Sequence, residues 1–139
     1  MAETFALEVA TPERLVIREA ATEAQIPAKG GYIGVLPGHA PLLSELGTGY
    51  ASYVVAGKTH YLAMHGGFVE VLPDKVRVLA TATEKAEEID VQRAETALRK
   101  AQEALSDPHV ELDPALALAA MFRAQARIEA VAQAAKTHT

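Results

Sequence analysis

Charged side chains in the C-terminal part of the chain have types that suit a phosphate-bearing ligand. Arg123 and Arg127 lie four residues apart and therefore share one face of a predicted helix. Asp90 and Arg93 stand at the start of the preceding predicted helix, and Glu84 comes shortly before them. If the two helices fold back on each other, guanidinium groups can bind phosphate oxygens while carboxylates accept hydrogen bonds from amino or hydroxyl groups. A solvated face with ordinary ion pairs is the simpler interpretation of the same residues.

A second segment is similar to a nucleotide-binding motif but does not match it. Residues 52–59 read Ser-Tyr-Val-Val-Ala-Gly-Lys-Thr, which is similar to a P-loop except that Ser52 replaces the first glycine. Gly57 and Lys58 also lie between two strand-like runs, whereas a P-loop joins a strand to a helix. The segment is therefore predicted to be a hairpin turn.

The sequence contains no recognisable arrangement for catalysis or for metal binding. The histidines at positions 39, 60, 65, 109 and 138 lack metal-ligand spacing, and no nucleophile stands beside a candidate base. Glu87 and Glu88 are adjacent acids before a helix, where they complement its dipole. The histidines are expected to be structural or exposed, except that His39 is expected to hold the backbone of a functional loop. The chain is therefore predicted not to be an enzyme.

The composition argues against several other classes of protein. A net charge of −5 disfavours a general grip on nucleic acid phosphates, and 5% aromatic residues without Trp provide few surfaces for stacking bases. The absence of Cys excludes disulfides and Cys-based zinc sites. The first residues lack the features of a signal peptide, and no run approaches the ~20 apolar residues that span a bilayer. We expect a soluble chain, made in the cytoplasm, that has no transmembrane segment and reaches a membrane only through partners.

The positions of turn residues divide the chain into two parts. Residues 4–84 contain short alternating runs separated by turn residues every ~8–12 positions, which predicts an antiparallel β-sandwich or barrel. Residues 84–136 contain no Gly, and their apolar positions recur with the spacing of helices. Asp90 and the pair Asp113-Pro114 are the predicted starts of two helices. The predicted architecture is β + α, with a β-sandwich domain over residues 1–86 and an antiparallel two-helix hairpin over residues 87–139.

The apolar stripes of the two predicted helices are narrow and rich in Ala. The first consists of Val91, Ala94, Leu98, Ala101 and Leu105. The second consists of Ala117, Met121, Ala124, Ile128, Val131 and Ala135. Burying a large aliphatic side chain stabilises the folded state by only ~1.5–3 kcal/mol, and burying Ala stabilises it by much less. The hairpin is expected either to open under some conditions or to stay docked on the sandwich, and the periodicity does not distinguish these alternatives.

Two glycine-rich segments carry a resemblance to a known family. Residues 30–46 hold four glycines and two prolines among apolar residues, which predicts irregular backbone held against an apolar surface. This segment contains Leu-Pro-Gly-His-Ala-Pro at 36–41, and Gly-Gly-Phe-Val-Glu-Val follows at 66–71. Together and in this order, these runs resemble the epsilon subunit of F-type ATP synthases. The resemblance extends over nearly the whole chain.

The resemblance implies a role at the foot of the central stalk of the enzyme. The sandwich would bind the gamma subunit and the ring of c subunits, on the cytoplasmic face of the bacterial inner membrane, and would help couple rotation to proton translocation. The helices would extend toward the alpha and beta subunits and inhibit ATP hydrolysis. The residues implied in partner binding are Gly34, Leu36, Pro37, Gly38, His39, Ala40, Pro41, Gly67 and Phe68.

The resemblance also implies a regulatory ATP site, with no cofactor required. Some members of the family bind ATP through an Ile-Asp-x-x-Arg-Ala motif, which occurs here at 89–94. The residues implied are Glu84, Ile89, Asp90, Arg93, Ala94, Lys100, Arg123 and Arg127. Lys100 stands where such members have Arg, and it therefore lacks a bidentate donor.

In the family that the chain resembles, the second helix is often rich in Lys and Arg that can pair with acidic segments of the catalytic subunits, whereas here it carries only Arg123, Arg127 and Lys136. Residues 90–139 carry six basic and seven acidic side chains, which gives a net charge of −1. Electrostatic docking onto an acidic target is expected to be correspondingly weak. The alternative hypothesis is an adaptor of an unrelated complex, built from the same sandwich and hairpin, that binds no nucleotide.

Overall fold

The computed structural model of the chain describes residues 3–109 and 113–137. The described residues form eight strands followed by two helices. The strands are β1 Phe5–Ala10, β2 Leu15–Ala21, β3 Glu23–Ala28, β4 Gly31–Val35, β5 Leu42–Glu45, β6 Thr48–Val55, β7 Lys58–Val71 and β8 Lys75–Lys85. They are hydrogen-bonded in the order β2-β1-β8-β7-β6-β3-β4, and β5 pairs with β7. This arrangement confirms the predicted β + α architecture.

One ladder departs from the antiparallel pattern. β1 runs parallel to β8, with Leu7 opposite Val76, whereas the other described ladders are antiparallel. Parallel neighbours require a long connection. Here the whole segment from β2 to β7 provides that connection, so local sequence could not indicate the pairing.

Most of the glycine-rich segment 30–46 is regular, contrary to the expected irregular backbone. β4 pairs with β3, β5 pairs with β7, and only residues 36–41 form a loop between them. Pairing with strands elsewhere in the sequence overrides the local preference of Gly and Pro for turns.

β7 continues through the second glycine-rich segment as one strand of 14 residues. Its first half pairs with β6 and its last residues pair with β5. A Cβ atom at Gly67 would lie 1.9 Å from the Leu79 carbonyl oxygen, and the φ angle of Gly67 is +109°. Only glycine fits at this position, which lies between the segment of β7 that pairs with β6 and the segment that pairs with β5.

The core of the sandwich is built entirely from the strands and the residues between them. Inward-facing side chains alternate along the strands, as in Val76, Val78 and Ala80 of β8. The largest fully buried side chains include Phe5, Leu7, Ile26, Leu62 and Met64. No helical residue belongs to this cluster among the described residues, which indicates that the sandwich does not depend on the helices for its core.

The two helices begin at the predicted caps. A 3₁₀ turn, Ala86–Glu88, joins β8 to α1 Val91–Ser106, and α2 spans Pro114–Thr137. The Arg93 amide donates a hydrogen bond to Asp90 Oδ1 over 3.1 Å. The Ala115 amide donates to Asp113 Oδ1 over 2.9 Å. Side-chain oxygens thus satisfy amides of the first turn that lack intrahelical acceptors.

α2 has two buried faces, whereas its predicted apolar stripe accounts for only one of them. Ala117 and Ala124 belong to that stripe and are buried, and α1 packs against α2 through an interface that buries Ala94 and Ala101. Ala126 and Ala130 lie on another face and pack with Ala63 of β7 and with Ala86. Tyr50 and Tyr61 pack against the same cluster. The structure therefore has the hairpin docked on the sandwich, through contacts made largely by small side chains.

No helix within residues 3–109 and 113–137 is long and apolar enough to cross a membrane.

Candidate functional site

A polar cleft lies where the end of β8, the start of α1 and the middle of α2 meet. Its volume is about 440 Å³, within the range of ligand pockets. The residues that line it are Glu84, Glu88, Asp90, Arg93, Ala94, Ala97 and Arg127. Five of the eight residues implied in ATP binding therefore share one cleft, although they come from three different elements.

The start of α1 supplies one side of the cleft. Asp90 is the N-cap, and its bond to the Arg93 amide fixes the first turn of the helix. Arg93 is exposed and forms no ion pair with another described residue. Ala94 and Ala97 follow on the same side, and their short side chains leave space above the helix.

Glu84 and Arg127 close the inner end of the cleft. Arg127 Nε donates a hydrogen bond to Glu84 Oε1 over 2.6 Å, and both side chains are partly exposed, at 33% for Arg127 and 41% for Glu84. Glu84 belongs to β8 and Arg127 to α2. The pair therefore joins the sandwich to the hairpin.

The charges of the cleft suit a ligand with both donors and an anionic group. Three carboxylates, of Glu84, Glu88 and Asp90, can accept hydrogen bonds from amino or hydroxyl groups. Glu88 lies 3.9 Å from Arg14 of the sandwich, a contact between exposed side chains. Arg93 has no such partner in the part of the chain that the structure describes, and its planar guanidinium can bind an anion.

Arg123 lines a second, smaller cavity on the inner side of the Glu84–Arg127 pair. This cavity of about 50 Å³ lies between α2 and the sheet, and its polar lining includes His65, Thr83, Arg123 and Arg127. His65 Nδ1 is hydrogen-bonded to Thr48 Oγ1 at 2.6 Å. Burial lowers the pKa of His65 below its ordinary value of 6.5, and the charges of Arg123 and Arg127 lower it further. Sequence reasoning assigned His65 no particular role, because nothing local signals that α2 covers it.

Two of the residues implied in ATP binding have other surroundings. Ile89 packs in the apolar cluster under α2, together with Ala126 and Ala130. Lys100 is exposed on α1 and is not among the residues that line the cleft. In the docked structure, Ile89 and Lys100 therefore lie outside the cleft, and Arg123 shares only the smaller cavity with Glu84 and Arg127.

The predicted contact loop, residues 36–41, lies beside the turn between β7 and β8. The Gly38 amide donates a hydrogen bond to the Pro73 carbonyl oxygen over 2.7 Å, and Gly38 has a φ of +85°. His39 Nδ1 lies 2.7 Å from the Ala40 carbonyl oxygen, which can only accept, so this nitrogen carries the proton. Leu36 is 60% exposed at the start of the loop. The turn holds the loop while its apolar side chain stays accessible.

One glycine of the predicted contact set is required by the fold itself. Gly67 avoids a clash with the Leu79 backbone, whereas a Cβ at Gly34 would meet only the flexible end of the Gln25 side chain, at 3.2 Å. The same sheet exposes Phe68 at 53%, and the register places Leu79, Ala10 and Leu15 beside it on successive strands. Leu79 and Leu15 are also exposed, and sequence reasoning missed them. Side chains alternate between the two faces of a strand, and this alternation places both leucines on the outward face. That pattern could have identified them from the sequence.

The remaining motifs have structural explanations. Ala56 and Gly57, with φ of 49° and 81°, form the predicted hairpin turn between β6 and β7. His60 stacks on Tyr53 with ring centroids 5.0 Å apart. His109 is exposed, and His138 lies outside the described residues. Within the described residues, no group of three or more His, Asp or Glu side chains is arranged to hold a metal ion.

Two sequence profiles of known families match the chain. The profile described as ATP synthase, Delta/Epsilon chain, beta-sandwich domain matches residues 4–86. The profile described as ATP synthase, Delta/Epsilon chain, long alpha-helix domain matches residues 87–136.

Individual relatives agree with these profiles. The ATP synthase epsilon chain of Solibacter usitatus (strain Ellin6076) is 56% identical over 128 residues, which are 92% of this chain and 96% of the relative. The ATP synthase epsilon chain of Koribacter versatilis (strain Ellin345) is 54% identical over 105 residues, 76% of this chain and 74% of the relative. A chain in the cryo-EM structure of Euglena gracilis mitochondrial ATP synthase, OSCP/F1/c-ring in rotational state 1, shares the fold. Its TM-score is 0.80 at 22% identity, covering 96% of this chain and 82% of that chain.

Proposed function

Because the chain belongs to the ATP synthase delta/epsilon family, as the epsilon subunit of the F-type central stalk, we propose that its helical hairpin regulates ATP hydrolysis in response to ATP. The epsilon chain is a non-catalytic subunit and has no catalytic cofactor. ATP is therefore proposed as a regulatory ligand of this chain. Residues 1–86 would form the part that binds the rest of the stalk, and residues 87–139 the part that regulates.

The observation that carries this proposal is the composition of the polar cleft. Glu84 comes from the sandwich, Asp90 and Arg93 come from the start of α1, and Arg127 comes from α2. A ligand that contacts all of these side chains holds the hairpin against the sandwich. Carboxylates suit the amino and hydroxyl groups of a nucleoside, and the guanidinium of Arg93 suits its phosphates.

The packing of the helices supports a conditional arrangement. The buried side chains of α1 and α2 are all alanines among the described residues. Each contributes little apolar area, so the docked state has only a modest advantage over the released one. A ligand that binds only the docked state adds about RT ln(1 + [L]/Kd) to its stability. A fall in ATP concentration then releases the helices.

The released helices are long enough to act at a distance from the sandwich. α2 has 24 residues, and a helix of that length spans about 36 Å. We propose that the extended hairpin contacts the alpha and beta subunits and inhibits hydrolysis. The net charge of −1 over residues 90–139 makes this contact depend more on apolar side chains than on charge.

The strand part supplies the proposed contact surface for the gamma subunit and the c-ring. Leu36 in the loop and Phe68 and Leu79 on the sheet face are exposed apolar side chains, each more than half accessible. Exposed apolar groups of this kind mark interaction sites when they lie together. Through these partners the chain would be a peripheral component at the cytoplasmic face of the bacterial inner membrane.

The proposal is tested by ATP hydrolysis of the catalytic rotary complex prepared without this subunit. We would compare no addition, the full chain, and a chain that ends at Ala86. Inhibition by the full chain alone is the expected result, because no described helical residue belongs to the sandwich core and the truncated chain should still fold and bind. Equal effects of both chains would remove the hairpin from regulation.

A matched pair of variants tests the direction of the switch. Ala130 is fully buried on the face of α2 that packs on the sandwich, and Ala132 is exposed on the same helix. Ala130→Asp buries a charge, releases the hairpin and should inhibit more strongly at every ATP concentration. Ala132→Asp should behave as the original chain does. Weaker inhibition by Ala130→Asp would show that the docked hairpin is the inhibitory form.

A further inference from the structure

His65 lies beneath α2 at the point where two arginines cover the sheet. It sits on β7 between Thr48 of β6 and Ala82 of β8, to which the register pairs it. Arg123 and Arg127 of α2 line the small cavity above it. The imidazole is half-buried, and Thr48 provides its described hydrogen-bond partner.

The described side chains that line the cavity above His65 carry more positive than negative charge. α2 contributes Arg123 and Arg127, β8 contributes Glu84, and β6 contributes the neutral Thr48. The Glu84 carboxylate is already bonded to Arg127 over 2.6 Å. A protonated His65 would add a third positive charge beside two guanidiniums, and among the described residues only one carboxylate, that of Glu84, lines the cavity.

We propose that His65 is a proton-sensitive switch that permits docking of α2 when neutral and releases α2 when protonated. This inference rests on the conditional docking proposed above, and it adds the proton as a second ligand that controls the same hairpin. ATP and the proton act in opposite directions. ATP favours the docked state, and acid favours the released state.

The direction of the pH effect follows from the surroundings of the imidazole. Burial, with the charges of Arg123 and Arg127, lowers the pKa of His65 in the docked state below 6.5. Release of α2 removes the cover and the two arginines, so the pKa returns toward that ordinary value. Above pH 6.5 the imidazole is neutral in both states, so protonation does not affect docking. As the pH falls below 6.5, docking weakens. Within that window the docking equilibrium changes up to tenfold per pH unit, because one proton is taken up.

Energy transfer between two labels tests the switch on the full chain. The chain contains no Cys, so cysteines introduced at exposed Ala20 of β2 and exposed Ala132 of α2 carry the donor and the acceptor without background labelling. We expect the docked fraction to fall between pH 6.5 and pH 5, values set by the ordinary histidine range. His65→Gln should abolish this fall, whereas His39→Gln, in a loop that does not line the cavity above His65, should retain it.

Two further measurements separate the possible failures. His65→Lys carries a permanent charge and should lower the docked fraction throughout the pH range, while urea unfolding of the sandwich reports whether each variant still folds. A pH response that survives in His65→Gln, or is absent from the original chain, overturns the switch. If ATP still docks the hairpin in that case, only the role of His65 is lost. If neither ATP nor acid moves α2, the conditional hairpin fails as well.

Discussion

Arg127 Nε donates a hydrogen bond to Glu84 Oε1 over 2.6 Å, and this contact joins residues that are 43 positions apart in sequence. Glu84 lies near the end of β8, and Arg127 lies in the middle of α2. The pair also stands between the polar cleft and the small cavity above His65, since both are lined by it. The proposed ligand in the cleft and the proposed protonation of His65 would therefore act on the same contact between sandwich and hairpin.

Removal of this ion pair should loosen α2 without unfolding the sandwich. We expect Arg127→Gln or Glu84→Gln to weaken docking by about 1 kcal/mol or less, because partly exposed pairs are screened by water and salt. Hydrogen exchange of the α2 amides measures the change. Arg14→Gln is the matched control, since the Arg14–Glu88 contact is longer and more exposed. An equal effect of Arg14→Gln would mean that general charge, and not this pair, holds the hairpin.

Loss of an arginine from the cleft should weaken ATP binding by the isolated chain. Arg93→Ala removes the guanidinium without a described partner, and a charge-assisted hydrogen bond of ~1.5–3 kcal/mol corresponds to about tenfold to hundredfold in affinity. Titration calorimetry with ATP measures the loss. Arg99→Ala and Lys100→Ala change exposed positions of α1 that do not line the cleft, and both should retain most of the affinity. A loss in Lys100→Ala as large as in Arg93→Ala would place the ligand outside this cleft.

Gly67→Ala should destabilise the sandwich severely. The added Cβ would meet the Leu79 carbonyl oxygen at 1.9 Å, and the backbone at φ +109° is unfavourable for alanine. We expect a loss well above ~1 kcal/mol, the scale of alanine at a merely tolerated glycine position. Urea denaturation gives the free energy of unfolding. Gly30→Ala is the control, because nothing lies within 4 Å of its added Cβ.

Stability should fall in alkali as Tyr53 ionises. Burial, with the charges of Glu19 and Glu87, raises the pKa of Tyr53 to about 12 from 10.0. A raised pKa means that the neutral form is favoured in the folded protein, so stability is retained below pH 10 and lost as the pH rises toward 12. Urea denaturation in this range should show the loss in the original chain and in Tyr61→Phe. Persistence of the full loss in Tyr53→Phe would assign it to another group.

Local signals predicted the starts of the helices correctly. Asp90 and Asp113 cap them because a side-chain oxygen next to a free amide acts within a few residues of itself. The same local signals did not predict the second buried face of α2. Ala126 and Ala130 are no different in type from their exposed neighbour Ala132, and burial of the first two depends on Ala63 and Ala86 in the sandwich.

The two-part architecture, the helix caps and the hairpin turn could be predicted from local sequence, and the same sequence predicts a set of charged residues that suit a nucleotide. These features depend on spacing, capping and turn chemistry, which act over short stretches of chain. Three features could be learned only from the packing of the folded chain: Glu84 contacts Arg127, Lys100 does not line the cleft, and His65 lies under α2. Such contacts depend on the docking of one element on another, because the charge and burial around a side chain are set by residues far away in the sequence.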